Sequence, residues 1–462
     1  MKILYAIVVM LLSSNLNAKE ITGSSVDANA LNAVSIGCRF KADSLPKKNL
    51  KIVSVCGWEL AIDKKDGNVY FTADGLKLCT NNIGKTGNVS SFSNVCDGKW
   101  HYIIGINDGK SVAIYIDGAL EDAADFIKKD AAKTSAVVVA QSAGTSCLID
   151  TVKIYDAAVD YKTITELSNS KPAVWNLNSK KLDLHKDFWD RGVIPIQAHR
   201  GGGFALPEHT METYAETWKM GMIPEADIRT TKDGVIIAMH DNDAERTAPN
   251  TPAPLNKMKF NEMTLEQVKT LDVGAFRDRP GQKVPTLEEV FAQMQGKPER
   301  MMELDYKDIN LKRLSDLVNK YNLREQVFFV SRYHHLICQW SQLLPGSVTM
   351  IWMGGNEHTL NKIFEQLRRD DFAGISIIQI LVIEDKKAAD GIRPSIAYLK
   401  ERQAELTKKG VALQIFPWKI SNREIFVKLL TSGFHFFATD YSKEILETYK
   451  EIANNELYGL KK

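Results

Sequence analysis

The pattern of apolar and polar positions divides the chain into two parts. From Lys19 to Ser170, short β-prone runs recur, at Leu50–Val55, Val69–Thr72, Trp100–Asn107, Ser111–Asp117, Ser135–Ala140 and Cys147–Tyr155. Turn signals separate them, among them Lys65-Asp66-Gly67-Asn68, Asn107-Asp108-Gly109-Lys110 and Asp117-Gly118. Regular strands with tight turns and few helices predict an all-β sandwich over residues 19–170. Residues 171–192 read as a linker, and Pro172, Trp175, Trp189 and Asp190 suggest a docked one. From Gly192 onward, apolar strands alternate with amphipathic helices. Strand candidates are Val193–Ala198, Met222–Ile228, Arg300–Asp305, Val327–Ser331, Ser347–Met353, Gly374–Ile378, Ala412–Pro417 and Phe434–Thr439. Helical stretches are Thr210–Met220, Leu287–Met294, Leu311–Tyr321, Leu360–Arg368, Ile396–Lys408, Arg423–Thr431 and Lys443–Ile452. This alternation predicts a (β/α)8 TIM barrel over residues 193–455, with a doubly wound sheet as the alternative.

Bulk properties agree with a multidomain chain. At 462 residues it exceeds one ordinary domain, and 44% hydrophobic residues suffice for real cores. A net charge of +2 makes no case for nucleic acid as a partner. Met1-Lys2, the apolar run Ile3–Leu12 and the small, polar Ser13–Ala18 read as a signal peptide over residues 1–18, cleaved after Ala18. The run is short for a bilayer span. An uncleaved anchor is the weaker alternative, and no cysteine marks a lipoprotein cleavage point. No later segment reads as transmembrane, so the mature protein is expected to be exported, periplasmic or secreted. Export permits disulfides. Cys38, Cys56, Cys79, Cys96 and Cys147 lie in the first half and Cys338 in the second. One or two bridges in the first half and buried free thiols are both open.

The candidate chemistry is concentrated near the start of the second half. His199-Arg200-Gly201, Pro207-Glu208-His209-Thr210, Glu225-Ala226-Asp227, Thr231-Lys232-Asp233-Gly234 and His240-Asp241 follow within a short stretch. Imidazoles titrate near neutrality and pass protons. Carboxylates two residues apart on a strand share a face and can share a hard cation. An arginine beside them suits a phosphate. Together they read as a metal-assisted phosphodiester-cleaving site. In a barrel, chemistry gathers at the C-terminal ends of strands, where His199, Arg200, Glu225, Asp227, His240, Asp305, Lys307, Trp418 and Asp440 are expected. A lone histidine is more often structural, but two flanking a Glu-x-Asp point to catalysis. Arg200 and Lys307 suit phosphate contact, or they neutralise buried acids. Glu208 suits a helix start before the N-cap Thr210 or a supporting bond to the site. His334, His335 and His358 read as surface or helix residues. Gly201-Gly202-Gly203 lacks the ending of a nucleotide loop and instead permits close backbone approach or a turn.

These residues carry a resemblance. The second half resembles the glycerophosphodiester phosphodiesterase family, through His199-Arg200-Gly201, Pro207-Glu208-His209-Thr210, Glu225-Ala226-Asp227-Ile228, Thr231-Lys232-Asp233-Gly234, His240-Asp241, Arg246-Thr247, Pro285-Thr286-Leu287-Glu288-Glu289, Asp305-Tyr306-Lys307, Trp418 and Thr439-Asp440. The resemblance implies a general acid and base pair in His199 and His240, metal ligands in Glu225, Asp227 and Asp305, and phosphate contacts from Arg200 and Lys307. Glu208 and Trp418 support the site. The cofactor implied is a divalent cation, Ca2+ or Mg2+. The reaction implied is hydrolysis of glycerophosphodiesters to glycerol 3-phosphate and an alcohol, with a phospholipase D-like action on lipid or glycolipid phosphodiesters as the alternative. The chain departs from the family pattern at His209 (usually Asn), Asp305 (usually Glu, with Glu303 as a competing ligand), Lys419 (usually Thr) and Tyr441 (usually Pro). The first half resembles laminin G-like, or concanavalin A-like, jelly rolls through Trp100-His101, Tyr115-Ile116-Asp117-Gly118 and Ile149-Asp150-Thr151-Val152-Lys153-Ile154-Tyr155. A glycan or cell-surface ligand is a possible partner there, although Trp100 and Tyr115 are expected to be sandwich core.

Overall fold

The computed structural model describes residues 33–55, 57–73, 77–79, 88–128, 137–139, 147–169, 177 and 180–454. The expected signal peptide lies outside the described residues. Among the described residues, no helix is long and apolar enough to cross a membrane. They form two compact units. One holds the described residues up to 169 together with His358–Asp370, and the other holds the rest.

The first unit is a two-sheet sandwich. A six-stranded sheet runs in the order Cys147–Tyr155, Val34–Ala42, His101–Asn107, Ser111–Ile116, Ala119–Lys128, Lys77–Cys79. A five-stranded sheet runs Val137–Val139, Leu50–Val55, Trp58–Ile62, Asn68–Ala73, Asn88–Asn94. Their pairings are antiparallel, so inward and outward side chains alternate. Phe40, Trp58, Phe71, Ile103 and Ile114 fill the core, with Trp58 stacked on Phe71 at 5.0 Å between centroids. Gly105 is required there, because a Cβ would sit 2.4 Å from the Phe71 ring. Trp58–Ile62 was missing from the sequence expectation; four of its five residues are buried, which hides the two-residue period.

The structure settles further expectations, on Trp100, Tyr115, one helix and the cysteines. Trp100 is not core. It sits one residue before the strand, outside its alternation, and is 39% exposed with the Arg39 guanidinium 4.8 Å above its ring. Tyr115 is half-buried and packs with Tyr102, Ile104 and the helix Tyr161–Ser168. The helix containing Leu360–Arg368 was expected among the barrel helices, yet His358–Asp370 groups with the sandwich. His358 Nε2 lies 2.8 Å from Asp108, Lys362 pairs with the same carboxylate, and the Arg369 guanidinium lies 3.7 Å from the Tyr161 ring centroid. Cys38, Cys96, Cys147 and Cys338 are buried thiols, and burial pushes Cys38 up to about 12. The side chains of Cys56 and Cys79 lie outside the described residues.

The second unit is a closed barrel of eight parallel strands: β1 Ile196–Ala198, β2 Ile223–Thr230, β3 Met302–Tyr306, β4 Val327–Ser331, β5 Val348–Met353, β6 Ile377–Glu384, β7 Ala412–Pro417 and β8 Phe437–Thr439. Closure is made by β1, which pairs with both β2 and β8. The doubly wound alternative is thereby excluded. Strands covered on both faces need continuous apolar runs; β4 and β7 have them, and their expected bounds coincide with the observed ones. β6 lies further along than expected, since Ile375–Ile383 is apolar almost throughout and gives no local stop. Ile236–Ala238 folds back antiparallel onto β2 and carries His240 to the mouth. Helix Leu287–Met294 starts at a capping box between Thr286 and Glu289, so its N-terminus is sharply defined.

Candidate active site and metal centre

The site begins where β1 ends. His199 and Arg200 follow it in a tight turn, with Arg200 in the left-handed region at φ 52°. That conformation aims the Arg200 amide at Glu225 Oε2, 2.6 Å away. Gly203 lets the loop press onto β8's end: a Cβ there would sit 2.4 Å from the Asp440 carbonyl oxygen, which instead accepts from the Phe204 amide at 2.8 Å. Asp440 is buried, and its Oδ1 holds His199 Nδ1 at 2.7 Å while Oδ2 accepts from the Lys419 amide at 2.8 Å. The edge of Phe416 supports the His199 ring at 5.0 Å between centroids. The glycine run therefore serves close packing.

His240 is held in the same manner. Its Nδ1 lies 2.7 Å from Asp241 Oδ1, and Arg229 donates twice to its carbonyl oxygen, at 3.1 and 2.6 Å. Asp241 Oδ2 accepts from Arg246 Nε at 2.6 Å. Arg246 also grips Glu208 at 2.9 and 2.5 Å, and Glu208 accepts from Arg200 at 3.2 Å. One chain of charge-assisted contacts thus runs from Arg200 through Glu208 and Arg246 to Asp241 and His240. Burial raises the Glu208 pKa, but the Arg246 hydrogen bond and the Arg200 charge outweigh it and hold the carboxyl at about 2. Burial pushes the His240 pKa below the usual imidazole value, which favours the neutral ring near pH 7. Arg200 Nε is a buried donor without an acceptor among the described residues, and an anion would satisfy it.

The acids lie on β2 and β3. Asp227 and Asp305 are register neighbours, as are Glu225 and Glu303. Lys307 bridges Asp227 and Asp305 at 2.7 and 2.6 Å, so here it neutralises the acids. Trp352 Nε1 donates to Asp305 at 3.3 Å. Burial and the neighbouring Asp227 and Asp305 push Glu225 well above the usual carboxylate range. Burial also raises Asp227, but Lys307, His240 and His209 outweigh it and keep that acid ionised. One lysine does not balance three clustered acids, and a divalent cation fits the remaining charge. His209, Glu225 and Asp227 have donor atoms within 4.8 Å of one another. Glu303 is not part of this set. It is fully buried, is bonded by Gln414 at 3.0 Å, and burial takes it to about 8.

His199, Arg200, Asp305, Lys307, Trp418 and Asp440 lie at or just beyond the ends of barrel strands, Glu225 and Asp227 lie within β2, and His240 follows the short antiparallel strand. Trp418 sits beside Phe416, Leu381 and Trp352 in a small apolar wall. Lys419 covers the Trp418 ring at 4.2 Å. His334 and His335 are helix residues, as expected. Sequence reasoning missed Trp352, Arg229 and the pairing of Glu208 with Arg246. Trp352 sits within an apolar strand that gives no hint of chemistry, whereas the Arg246-Thr247 motif was a usable signal for the pairing.

Residues 199–444 match the model of the glycerophosphoryl diester phosphodiesterase family, and residues 17–165 match the concanavalin A-like lectin/glucanases superfamily. The chain is similar to a glycerophosphodiester phosphodiesterase of Caldanaerobacter subterraneus, 23% identical over 267 residues that cover 55% of this chain and 98% of that protein. A second, from Bacillus subtilis, is 27% identical over 266 residues, covering 53% and 82%. Among solved structures, a glycerophosphoryl diester phosphodiesterase from Parabacteroides distasonis aligns with a TM-score of 0.46 at 21% identity, covering 60% of this chain and 93% of that one.

Proposed function

Because the chain belongs to the glycerophosphoryl diester phosphodiesterase family, we propose that it hydrolyses glycerophosphodiesters to glycerol 3-phosphate and an alcohol, with His199 and His240 as the proton-transferring pair. The observation that carries this reading is shared by the two imidazoles. Each is held through Nδ1 by one aspartate, at 2.7 Å, and each leaves Nε2 for a substrate. Asp440 and Asp241 then set the tautomer and stabilise the protonated ring.

Glu225 and Asp227, with Asp305 beside them, would hold a divalent cation. Such an ion supplies positive charge to the phosphate oxygens when bound. Arg200 faces the phosphate with its unpartnered Nε, and Glu208 fixes its orientation. One histidine takes the proton of the attacking hydroxyl, which is the neighbouring substrate hydroxyl or water. A P–O bond forms, the bond to the leaving alcohol breaks, and the other histidine protonates that alcohol. Attack by the substrate hydroxyl passes through a cyclic phosphate that water then opens.

A second reading has its own support. The wall of Trp352, Phe416, Trp418 and Leu381 beside Asp305 and His199 would suit an apolar alcohol moiety, as in a lysophospholipid. A panel of glycerophosphodiesters and lysophospholipids, assayed with Ca2+, Mg2+ and chelator, tests both readings. Hydrolysis of the glycerophosphodiesters that chelator abolishes supports the first, preference for the lipids supports the second, and chelator-insensitive rates contradict a metal requirement. The leader-like residues 1–18 suggest export, testable by locating the chain in cell fractions. A glycan or surface ligand for the sandwich is suggested by the exposed Trp100 under Arg39; retention of the full chain on a glycan array, lost in Trp100→Ala, would support it.

A further inference from the structure

Resting on the reading of this site as a divalent-cation centre, we propose that His209 is a nitrogen ligand of the ion, so that the centre takes Mn2+ or Co2+ in preference to Ca2+. The chain carries histidine where the family pattern has asparagine, and the structure buries it completely. His209, Asp227 and Glu225 are 0%, 2% and 5% exposed, and their donor atoms lie within 4.8 Å of one another. Ligands sharing one ion through bonds of about 2.1 Å stand roughly 3–4 Å apart, so small side-chain movements close the set. His209 Nε2 already lies 2.8 Å from Asp227 Oδ2.

The other ring nitrogen is provided for. His209 Nδ1 lies 3.2 Å from Tyr214 Oη, also fully buried. A proton on Nδ1 donated to that hydroxyl leaves the Nε2 lone pair for the ion, the arrangement of ligating histidines generally. The backbone enforces the placement. His209 is in the left-handed region at φ 54°, its amide donates to the Arg200 carbonyl at 3.1 Å, and Thr210 caps the helix that follows. Such a conformation costs about 1–2 kcal/mol outside glycine and asparagine, and it sets the imidazole against Asp227. Asp305 is held by Trp352 and, like Asp227, by Lys307. Ca2+ takes oxygen ligands, whereas imidazole suits transition-metal ions.

The test is metal affinity of the metal-stripped full chain, read by calorimetric titration with Mn2+ and with Ca2+, for the wild type and for His209→Asn. The expected result is a Mn2+ over Ca2+ preference at least about tenfold greater in the wild type than in the variant. A ratio unchanged by the substitution overturns the proposal and leaves His209 as a hydrogen-bond donor to Asp227, with the cation reading intact. No binding of either ion by the wild type overturns both. Pulsed EPR of the Mn2+-loaded wild type needs no variant. Nitrogen modulation from a bound imidazole supports the proposal, and its absence overturns it.

Discussion

Among the histidines that pair with aspartates, His101 is held by an aspartate at each ring nitrogen, whereas His199 and His240 are each held by one aspartate. In the sandwich, His101 holds Asp117 through Nδ1 at 2.8 Å and Asp97 through Nε2 at 2.9 Å. In the barrel, His199 and His240 each meet one aspartate, at 2.7 Å, through Nδ1. The same contact therefore does opposite things. An imidazole between two carboxylates has no lone pair left to offer and acts as a cross-link. One held at a single nitrogen is oriented and keeps its second nitrogen for a reactant. The difference lies in the second nitrogen, which no sequence motif displays.

The largest expected effect separates the two classes directly. Loss of general acid–base catalysis costs about 10²–10⁴-fold in kcat, so His199→Ala or His240→Ala should fall in that range with an unchanged circular dichroism spectrum. His101→Ala should leave kcat within about twofold and lower the melting temperature instead. A large kcat loss in His101→Ala would break the comparison.

Next comes Glu208→Gln. It removes the carboxylate that holds both Arg200 and Arg246, so a ten- to hundredfold fall in kcat/KM is expected, by analogy with the loss of residues that orient a metal ligand. Breaking a buried ion pair from one side costs about 3–5 kcal/mol, so thermal unfolding should also shift downward. An unchanged KM and melting temperature would detach Glu208 from the site. Asp241→Asn is expected to cost about tenfold in kcat, because Arg246 and the His240 tautomer lose their shared partner. Steady-state kinetics would refute this if the variant matched the wild type.

The smallest effect is a pH dependence. The hydrogen bond to Asp117, against the opposing effect of burial and with help from Asp97, raises the His101 pKa above the imidazole value. The group binds its proton more tightly folded than unfolded. Its stabilisation is therefore complete below the unfolded value of about 6.5 and is lost as pH rises through the folded one. Scanning melting temperature upward from pH 6 should show a decline of a few degrees that His101→Gln removes, where each kcal/mol is worth about 2–4 °C. A wild-type profile identical to that of the variant would contradict the cross-link.

Legibility in the sequence followed the range of the signal. Helix bounds at Leu287–Met294, Leu311–Tyr321 and Arg423–Thr431 were readable because apolar period and N-caps lie within a few residues. So was the placing of His199 just after β1 and of Glu225 and Asp227 on β2, although β2 runs on to Thr230 beyond them. Contacts between distant segments were harder to read: nothing local marks Asp440 on His199 across 241 positions, and the Arg246-Thr247 motif hinted at chemistry without naming Glu208, 38 positions away, as the partner. Trp100 misled because its strand begins one residue later. His209 read only as a departure from the family pattern, and its contact with Asp227 emerged from the fold.

The most direct test is steady-state hydrolysis of a glycerophosphodiester by the full chain and by His199→Ala, His240→Ala and the double variant, with and without chelator. The account predicts that each single change removes nearly all turnover, that the double change adds little because the two act as a unit, and that chelator silences the wild type. Turnover at the wild-type rate in either single variant would contradict it.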